Sequence, residues 1–139
     1  MGDTEQFTDR QIIALTGWGE ARGLGSEGMQ ATINTIQNRL SSGVTWWGKT
    51  LRQICIQPWQ YSCWNPTDPN RPKLLSVDET NPEYVIALGL ADAAFNGQLS
   101  DISNQSDSYY DDRMPAMPAW ARGLTPRFIC GTQKYFKTV

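Results

Sequence analysis

The sequence predicts a single, mainly α-helical domain with a strand-like segment near its C-terminal end. Three stretches before residue 100 carry apolar residues at helical spacing and begin at capping residues. The remainder is interrupted by a polar run, by prolines and by glycines. With 139 residues and no internal repeat, the chain has the size of one domain. We therefore expect one domain over residues 1–139, with residues 1–7 as a flexible N-terminus.

The first predicted helix covers residues 9–22. Thr8 followed by Gln11 has the pattern of a capping box, in which each side chain bonds the other residue's backbone N–H. Apolar residues then recur at helical spacing over 12–18, and Gly23 follows the last turn.

Two further helices are predicted by the same spacing. The second is expected to begin at a Ser26 cap and to end before Gly43, and the third to begin at Asn81-Pro82 and to end before Gly97. The predicted buried stripes are Met29, Ile33, Ile36 and Leu40 for the second helix, and Tyr84, Leu88, Ala91 and Phe95 for the third.

The segments between the helices are less regular. A short helical turn is expected around residues 51–54, and the aromatic-rich run 57–64 suits either a strand or an ordered loop. Three prolines make 65–72 a loop, and the polar run 100–108 has no periodic pattern. The tail 118–136 is predicted to end in a strand-like segment.

Composition excludes several classes of protein. The chain is 40% hydrophobic with a net charge of −2, which is typical of a soluble globular domain. No apolar stretch approaches the ~20 residues of a membrane-spanning helix, so we expect no membrane insertion. A mildly acidic chain without clusters of Lys or Arg is a poor nucleic-acid binder. We expect a monomer, synthesised in the cytoplasm because its N-terminus lacks the pattern of a secretory signal.

The chain contains no histidine, and this removes the commonest general base and metal ligand. A Ser-His-Asp hydrolase, a Cys-His peptidase and a His-ligated zinc enzyme are therefore excluded. Carboxylates remain as the groups for acid and base chemistry, and we expect neither a metal nor an organic cofactor.

The three cysteines are Cys55, Cys63 and Cys130, and their spacing fits neither a zinc site nor a disulfide scaffold. We expect free, buried thiols, because unpaired cysteine is among the most buried residue types. A Cys55–Cys63 pair under oxidising conditions stays open as the alternative.

Glu20 is the carboxylate best placed for chemistry. It ends the first predicted helix on the same broad side as Ile13 and Thr16, so it is expected to face inward. The alternative is an exposed glutamate at a helix end, paired with Arg22 or Arg39. The six tryptophans also admit two interpretations, because aromatic rings fill cores but also stack on sugar rings.

Four blocks of the chain resemble the SleB-type cell wall hydrolases, a family that includes spore-cortex-lytic enzymes and some phage endolysins. The blocks are Gly19-Glu20-Ala21-Arg22-Gly23; Glu27-Gly28-Met29 with 34–39; Gln57-Pro58-Trp59-Gln60-Tyr61-Ser62-Cys63-Trp64; and Pro118-Ala119-Trp120-Ala121 with Gly131 and Phe136. They occur in the family's order and span residues 12–136. The sequence departs from the family at Tyr109 and Gln133, where typical members carry histidine.

The resemblance implies a lysozyme-like, lytic-transglycosylase-like domain, mainly α with a small β element, that cleaves the glycan strands of peptidoglycan. By this resemblance Glu20 takes the catalytic position. A single catalytic domain with neither a signal nor a wall-binding repeat suits a phage lysin that reaches the cell wall after release, with a virion-borne or a bacterial cytoplasmic enzyme as the alternatives. The residues that it implies for substrate binding are Gln60, Tyr61 and Ser62 opposite Glu20, and Ser108, Tyr109 and Tyr110 closing the cleft.

Two alternatives to a transglycosylase remain at this stage. A true lysozyme would use water and a second carboxylate. The carboxylates available for that role are Glu27, Asp107, Asp111 and Asp112. A non-catalytic glycan-binding module is the other alternative, consistent with the missing histidines and the aromatic loops.

Overall fold

A computed structural model describes residues 2–139, with side chains from Thr4 onward. The described residues form a mainly α-helical domain with one small antiparallel sheet, as the sequence predicts. The helices are α1 (Asp9–Ala21), α2 (Gly25–Ser42), α3 (Leu51–Ile56), α4 (Arg71–Ser76) and α5 (Pro82–Phe95), and the strands are β1 (Ser108–Asp111), β2 (Phe128–Cys130) and β3 (Gln133–Phe136). Short 3-10 turns lie at Gly2–Gln6, Arg22–Leu24, Thr45–Trp47, Ser62–Trp64 and Ala119–Ala121.

Helix α1 is the central element of the core. Its predicted capping box is present, since Thr8 N–H donates to Gln11 Oε1 at 2.8 Å and Gln11 N–H donates to Thr8 Oγ1 at 3.2 Å. Every residue over 12–19 is buried, because α2, α3 and α5 all pack against this helix. A Cβ atom at Gly17 would come within 3.0 Å of the Ile33 side chain, so glycine allows the close approach of α2.

Helix α2 differs from the predicted helix at its N-cap and at one residue of the predicted buried stripe. It begins at Gly25, and its N-cap is Leu24, which makes no side-chain capping bond, so the predicted Ser26 cap is wrong. At the other end Gly43 adopts the left-handed conformation with φ 74°, as the predicted C-terminal glycine requires. Leu40 is 39% exposed because the helix has passed the edge of the core at its last turn.

Helix α5 begins at the predicted cap. Asn81 Oδ1 accepts from the Tyr84 N–H at 3.0 Å and from Trp18 Nε1 at 3.2 Å, so this cap also ties α5 to α1. Phe95, predicted for the buried face, is 45% exposed and instead carries the Arg10 guanidinium 5.1 Å from its ring centroid.

The aromatic run 57–64 contains no strand, which settles the choice that its pattern left open. It forms turns and then the Ser62–Trp64 3-10 turn. The Trp64 indole N–H donates to Thr16 Oγ1 at 2.9 Å and thereby fastens this turn to α1. The predicted loop 65–72 gives way to α4 at Arg71, since Pro72 is tolerated in the first turn of a helix.

The C-terminal half forms the sheet, in the order β1-β3-β2 with antiparallel pairing. Ser108 pairs with Phe136 and Phe128 pairs with Tyr135, so the predicted strand-like tail is a hairpin joined by a third strand. The polar run before β1 is irregular, as predicted, but it is bonded to α2. Asn34 Nδ2 donates to the Ser100 carbonyl at 3.0 Å, and Asn38 Nδ2 donates to the Ser106 carbonyl at 2.8 Å.

The N-terminal segment contacts helix α3. Of the segment 1–7, Met1 lies outside the described residues, but 2–6 form a 3-10 turn. The Arg52 guanidinium donates to the carbonyls of Thr4 and Phe7 at 2.7 and 2.9 Å, which holds this turn against α3.

The thiols of Cys55, Cys63 and Cys130 are all free and buried, which confirms the first of the two expectations. The alternative Cys55–Cys63 disulfide is not formed.

Among the described residues, no helix combines the length and apolar character needed to cross a bilayer.

Candidate active site

The carboxylate of Glu20 lies at the last turn of α1 and accepts hydrogen bonds at both oxygens. Oε2 accepts from the Cys63 backbone N–H at 2.8 Å and from Ser62 Oγ at 3.3 Å, and Oε1 accepts from the Tyr109 hydroxyl. Neither Arg22 nor Arg39 forms an ion pair with it, although both lie within the described range. The alternative of a charge-paired helix-end glutamate is therefore wrong.

The position of Glu20 follows from the residue before it. A Cβ atom at Gly19 would lie 2.7 Å from Leu74 Cδ2 and 2.9 Å from Cys63 Cβ. Only glycine lets the backbone of α1 lie this close to the Ser62–Trp64 turn. That contact brings the Cys63 N–H within bonding distance of the Glu20 carboxylate.

Tyr109 approaches Glu20 from the opposite element, the strand β1. Its ring lies between two other tyrosines, with centroids 6.4 Å from Tyr61 and 5.3 Å from Tyr135. Burial, reinforced by the charge of Glu20, raises the pKa of Tyr109 well above its usual range. The phenol therefore keeps its proton at neutral pH and acts as a donor to the carboxylate.

A cavity of about 580 Å³ opens on one side of Glu20, and we call it the aromatic cavity. Its wall includes four tryptophans, of which Trp59 is 74% exposed and Trp46 is 59% exposed. Trp59 also has a φ of 67°, a left-handed conformation that is strained for a large side chain. The full lining is Glu20, Arg39, Trp46, Trp47, Trp59, Gln60, Ser62, Ser108, Tyr109, Trp120 and Thr138.

Arg39 provides a positive charge in the wall of the aromatic cavity. Its guanidinium carbon lies 4.8 Å from the ring centroids of both Trp47 and Tyr61. It donates to the Asp107 carbonyl at 2.7 Å and to Gln60 Oε1 at 3.2 Å. The residue is buried, and no described carboxylate lies at ion-pair distance from it. The hydrogen bond from Arg39 to Oε1 also orients the Gln60 side chain.

A second cavity of about 500 Å³, which we call the polar cavity, also has Glu20 in its wall. Its other polar side chains are those of Arg22, Asn70, Asp111, Arg113, Thr132 and Gln133. Within the described part of the chain, Glu20 is the one residue that lines both cavities. A ligand that occupied both cavities would therefore lie beside the Glu20 carboxylate.

The structure brings four of the six predicted binding residues to the aromatic cavity with Glu20, namely Gln60, Ser62, Ser108 and Tyr109. Tyr61 and Tyr110 do not line this cavity. Tyr61 is 1% exposed, with its hydroxyl 2.9 Å from Thr35 Oγ1, so its ring belongs to the core. Tyr110 stacks on Phe136 with 5.6 Å between centroids and lies edge-on to Trp120 at 6.1 Å, so its ring packs behind the cavity wall.

The other candidate carboxylates lie in different surroundings. Glu27 and Asp112 are exposed and line neither cavity. Asp107 is 2% exposed, and it binds Thr138 through the backbone N–H and the hydroxyl. Asp111 lines the polar cavity, but the Arg113 guanidinium beside it lowers the pKa of that carboxyl to about 2.

Arg22 and Arg39 line the site, whereas the sequence suggests them only as ion-pair partners of Glu20. Arg39 follows Ile36 by three residues on the buried stripe of α2. A charged residue at such a position is a signal, because arginine is rarely buried without a specific role. Arg22 carries no comparable signal, since it follows the end of α1. Within the described residues, no group of three or more Cys, Asp or Glu side chains is positioned to hold a metal ion.

A comparison with protein families finds that the family described as Cell Wall Hydrolase matches residues 23–134. The chain belongs to the cell wall hydrolase family. The match confirms the SleB-type resemblance over nearly the whole chain. The match begins three residues after Glu20, so the assignment of Glu20 depends on the geometry described above. No curated protein and no solved structure matches the chain.

Proposed function

We propose that this cell wall hydrolase is a lytic transglycosylase that cleaves the β-1,4 bond between N-acetylmuramic acid and N-acetylglucosamine in peptidoglycan. The observation that carries the proposal is the place of Glu20 between two cavities, with three uncharged donors on its carboxylate. A glycan strand that occupied both cavities would place a glycosidic bond beside this carboxylate.

Glu20 serves first as the acid. Oε2 accepts from two donors, the Cys63 N–H and the Ser62 hydroxyl, whereas Oε1 accepts only from the Tyr109 hydroxyl, so we assign the transferable proton to the remaining lone pair of Oε1. Transfer of that proton to the glycosidic oxygen breaks its bond to the anomeric carbon of the muramic residue. The acetamido oxygen of the same sugar stabilises the positive charge that develops at this carbon.

Glu20 then serves as the base. The ionised carboxylate accepts the proton of the muramic 6-hydroxyl while that oxygen bonds the anomeric carbon, and this regenerates the acid. The product is a 1,6-anhydromuramoyl end. The Tyr109 hydroxyl and the Cys63 N–H stabilise the ionised form between the two steps, because hydrogen bonds to a charged acceptor are stronger than those to a neutral one.

The exposed tryptophans of the aromatic cavity support a glycan as the ligand. Trp46 and Trp59 hold flat apolar rings in solvent beside Gln60 and Ser62, which offer hydrogen bonds. Sugars present both an apolar ring face and a rim of hydroxyls, so this combination suits them. The strained backbone of Trp59 adds to this argument, since such strain tends to persist where it has a functional use.

A hydrolytic lysozyme is the second candidate, and one observation favours it. Asp111 shares the polar cavity with Glu20 and is ionised at neutral pH, as a carboxylate that activates water must be. Its bonds to the Arg113 guanidinium, at 2.6 to 3.2 Å, make it a weak base, and we therefore prefer the internal attack.

Mass spectrometry of the digestion products tests the proposal. The protein is incubated with purified cell walls, the solution is followed by turbidity, and the soluble fragments are weighed. We expect fragments that end in anhydromuramic acid, one water lighter than hydrolytic fragments. Reducing muramic ends throughout would indicate the lysozyme instead. Binding to the walls without any released fragment would indicate a non-catalytic module.

A further inference from the structure

The guanidinium of Arg22 lies in the wall of the polar cavity and has no carboxylate partner among the side chains that the structure describes, from Thr4 onward. Nη1 donates to the carbonyls of Trp18 and Gly19 at 3.2 and 3.3 Å, and Nη2 donates to Asn70 Oδ1 at 2.8 Å. All three acceptors are neutral. The guanidinium carbon also lies 4.2 Å from the ring centroid of Trp18.

None of the other charged side chains in the wall of the polar cavity pairs with Arg22. Arg113, the second cation of the wall, is paired with Asp111 through Nη2 to Oδ2 at 2.6 Å. Glu20, the other carboxylate of the wall, makes no ion pair with Arg22. The cavity thus offers a guanidinium that is not paired with either carboxylate of its wall.

Arg22 is also held in a fixed orientation. Described residues engage three of the five N–H donors of the guanidinium, which leaves the Nε–H and one Nη2–H for an anion. Guanidinium N–H groups bond carboxylate oxygens strongly because both partners are charged. Because the bonds to Trp18, Gly19 and Asn70 already order the side chain, little conformational entropy is lost when an anion binds.

We propose that the polar cavity is a subsite for an acidic muramyl residue, and that Arg22 recognises a carboxylate of that residue. The inference rests on the proposed function. Two parts of peptidoglycan supply this chemistry: the lactyl group of a muramic acid without its peptide, and the carboxylates of the peptide stem. N-Acetylglucosamine has neither, so the subsite distinguishes the two alternating sugars of the strand.

Calorimetric titration with three short ligands tests the proposal without any cleavage. The ligands are N-acetylglucosaminyl-N-acetylmuramic acid, the same disaccharide with a tetrapeptide stem, and the uncharged diacetylchitobiose. None contains the bond that the enzyme is proposed to cleave. We expect the wild type to bind at least one acidic ligand more tightly than diacetylchitobiose. Preference for the bare disaccharide identifies the lactyl carboxylate, and preference limited to the peptide-bearing ligand identifies the stem.

Two variants separate recognition by Arg22 from its role in the fold. Arg22→Gln removes the charge, whereas Asn70→Asp keeps the arginine and places a competing carboxylate 2.8 Å from Nη2. Each is expected to raise Kd for the acidic ligand by roughly 10- to 100-fold and to leave Kd for diacetylchitobiose within about 2-fold. The matched control is Arg10→Gln, at the far end of α1 and outside both cavities, where the guanidinium contacts the exposed Asp92 and the Phe95 ring.

Equal binding of all three ligands by the wild type would overturn the proposal. The proposal would also be overturned if Asn70→Asp or Arg22→Gln kept the thermal midpoint of the wild type and bound the acidic ligand with unchanged affinity. Failure of the proposed function appears separately, as cell walls from which the wild type releases no anhydromuramoyl fragment.

Discussion

The hydroxyl of Tyr109 donates a hydrogen bond to Oε1 of Glu20, joining residues that are 89 positions apart in the chain. Tyr109 reaches the carboxylate from the sheet, while Cys63 reaches Oε2 from the turn that packs on α1. The carboxylate is thus fixed by two separate parts of the fold. Each of the following predictions changes one component of this arrangement or of its surroundings.

Glu20→Gln is expected to retain the fold and to lower cell wall lysis by about 10²- to 10⁴-fold, because the amide has the shape of the acid but no transferable proton. Turbidity clearance and a thermal melt measure the two effects. Glu27→Gln is the control, since Glu27 is exposed and lies outside both cavities. Lysis by Glu20→Gln within a few fold of wild type would refute the catalytic assignment.

Tyr109→Phe is expected to lower kcat by about 10- to 100-fold with a smaller change in KM, because it removes a donor to the ionised carboxylate. Tyr61→Phe is the matched control. It removes a buried hydroxyl that contacts Thr35 rather than Glu20, so it should lower the thermal midpoint and leave kcat nearly unchanged. Similar effects of both variants on kcat would mean that Tyr109 is only a packing residue.

Gly19→Ala is expected to destabilise the fold by about 1 to 3 kcal/mol and to reduce lysis, because the added methyl group collides with Leu74 and Cys63. Gly89→Ala is the control on α5, where a Cβ atom meets nothing within 4 Å. It should stabilise the protein by about 0.5 to 1 kcal/mol through the higher helix propensity of alanine. Denaturant titration gives both values, and a stable, fully active Gly19→Ala would contradict the close packing.

Alkaline pH is expected to weaken the fold through its buried tyrosines. Burial raises the pKa of Tyr61 and Tyr109 well above the usual range and that of Tyr135 to about 12. In the unfolded chain these phenols ionise near pH 10, so their neutral folded form is fully stabilising below that pH. The free energy of unfolding should then fall as pH rises from about 10 to 12, by about 1.4 kcal/mol per pH unit for each phenol.

Thermal melts between pH 8 and 11, with tyrosinate absorbance as the second signal, measure this loss. In Tyr109→Phe the slope against pH should be smaller by about one proton. An unchanged slope in that variant would show that Tyr109 titrates normally in the folded protein.

A reducing agent is expected to change neither activity nor the thermal midpoint, since all three thiols are free and buried. Burial also raises the pKa of Cys55 to about 12, so its thiol stays protonated and reacts slowly. Thiol-reactive dye should therefore label the folded protein slowly and the unfolded protein at once. A drop of several degrees on reduction would instead reveal a disulfide contributing about 2 to 4 kcal/mol.

Local patterns determined the helices and the candidate carboxylate. The Thr8–Gln11 box, the Asn81 cap and the glycine at position 43 act within one helical turn, so neighbouring residues specify them fully. The inward side of Glu20 likewise follows from helical periodicity. The prediction failed where tertiary contacts override a local preference, as at Ser26, where the backbone enters α2 from a 3-10 turn at Leu24.

Only the tertiary structure decided how the site is assembled. Tyr61 and Tyr109 are both aromatic residues in irregular surroundings, yet one packs in the core against Thr35 and the other bonds Glu20. The polar cavity brings Arg22, Asn70 and Asp111 together from three distant segments. Hydrogen bonds and charges act over a few ångströms in space, whatever the separation along the chain. Sequence spacing therefore located the helix that carries Glu20, and the packing of that helix against turn and sheet selected its partners.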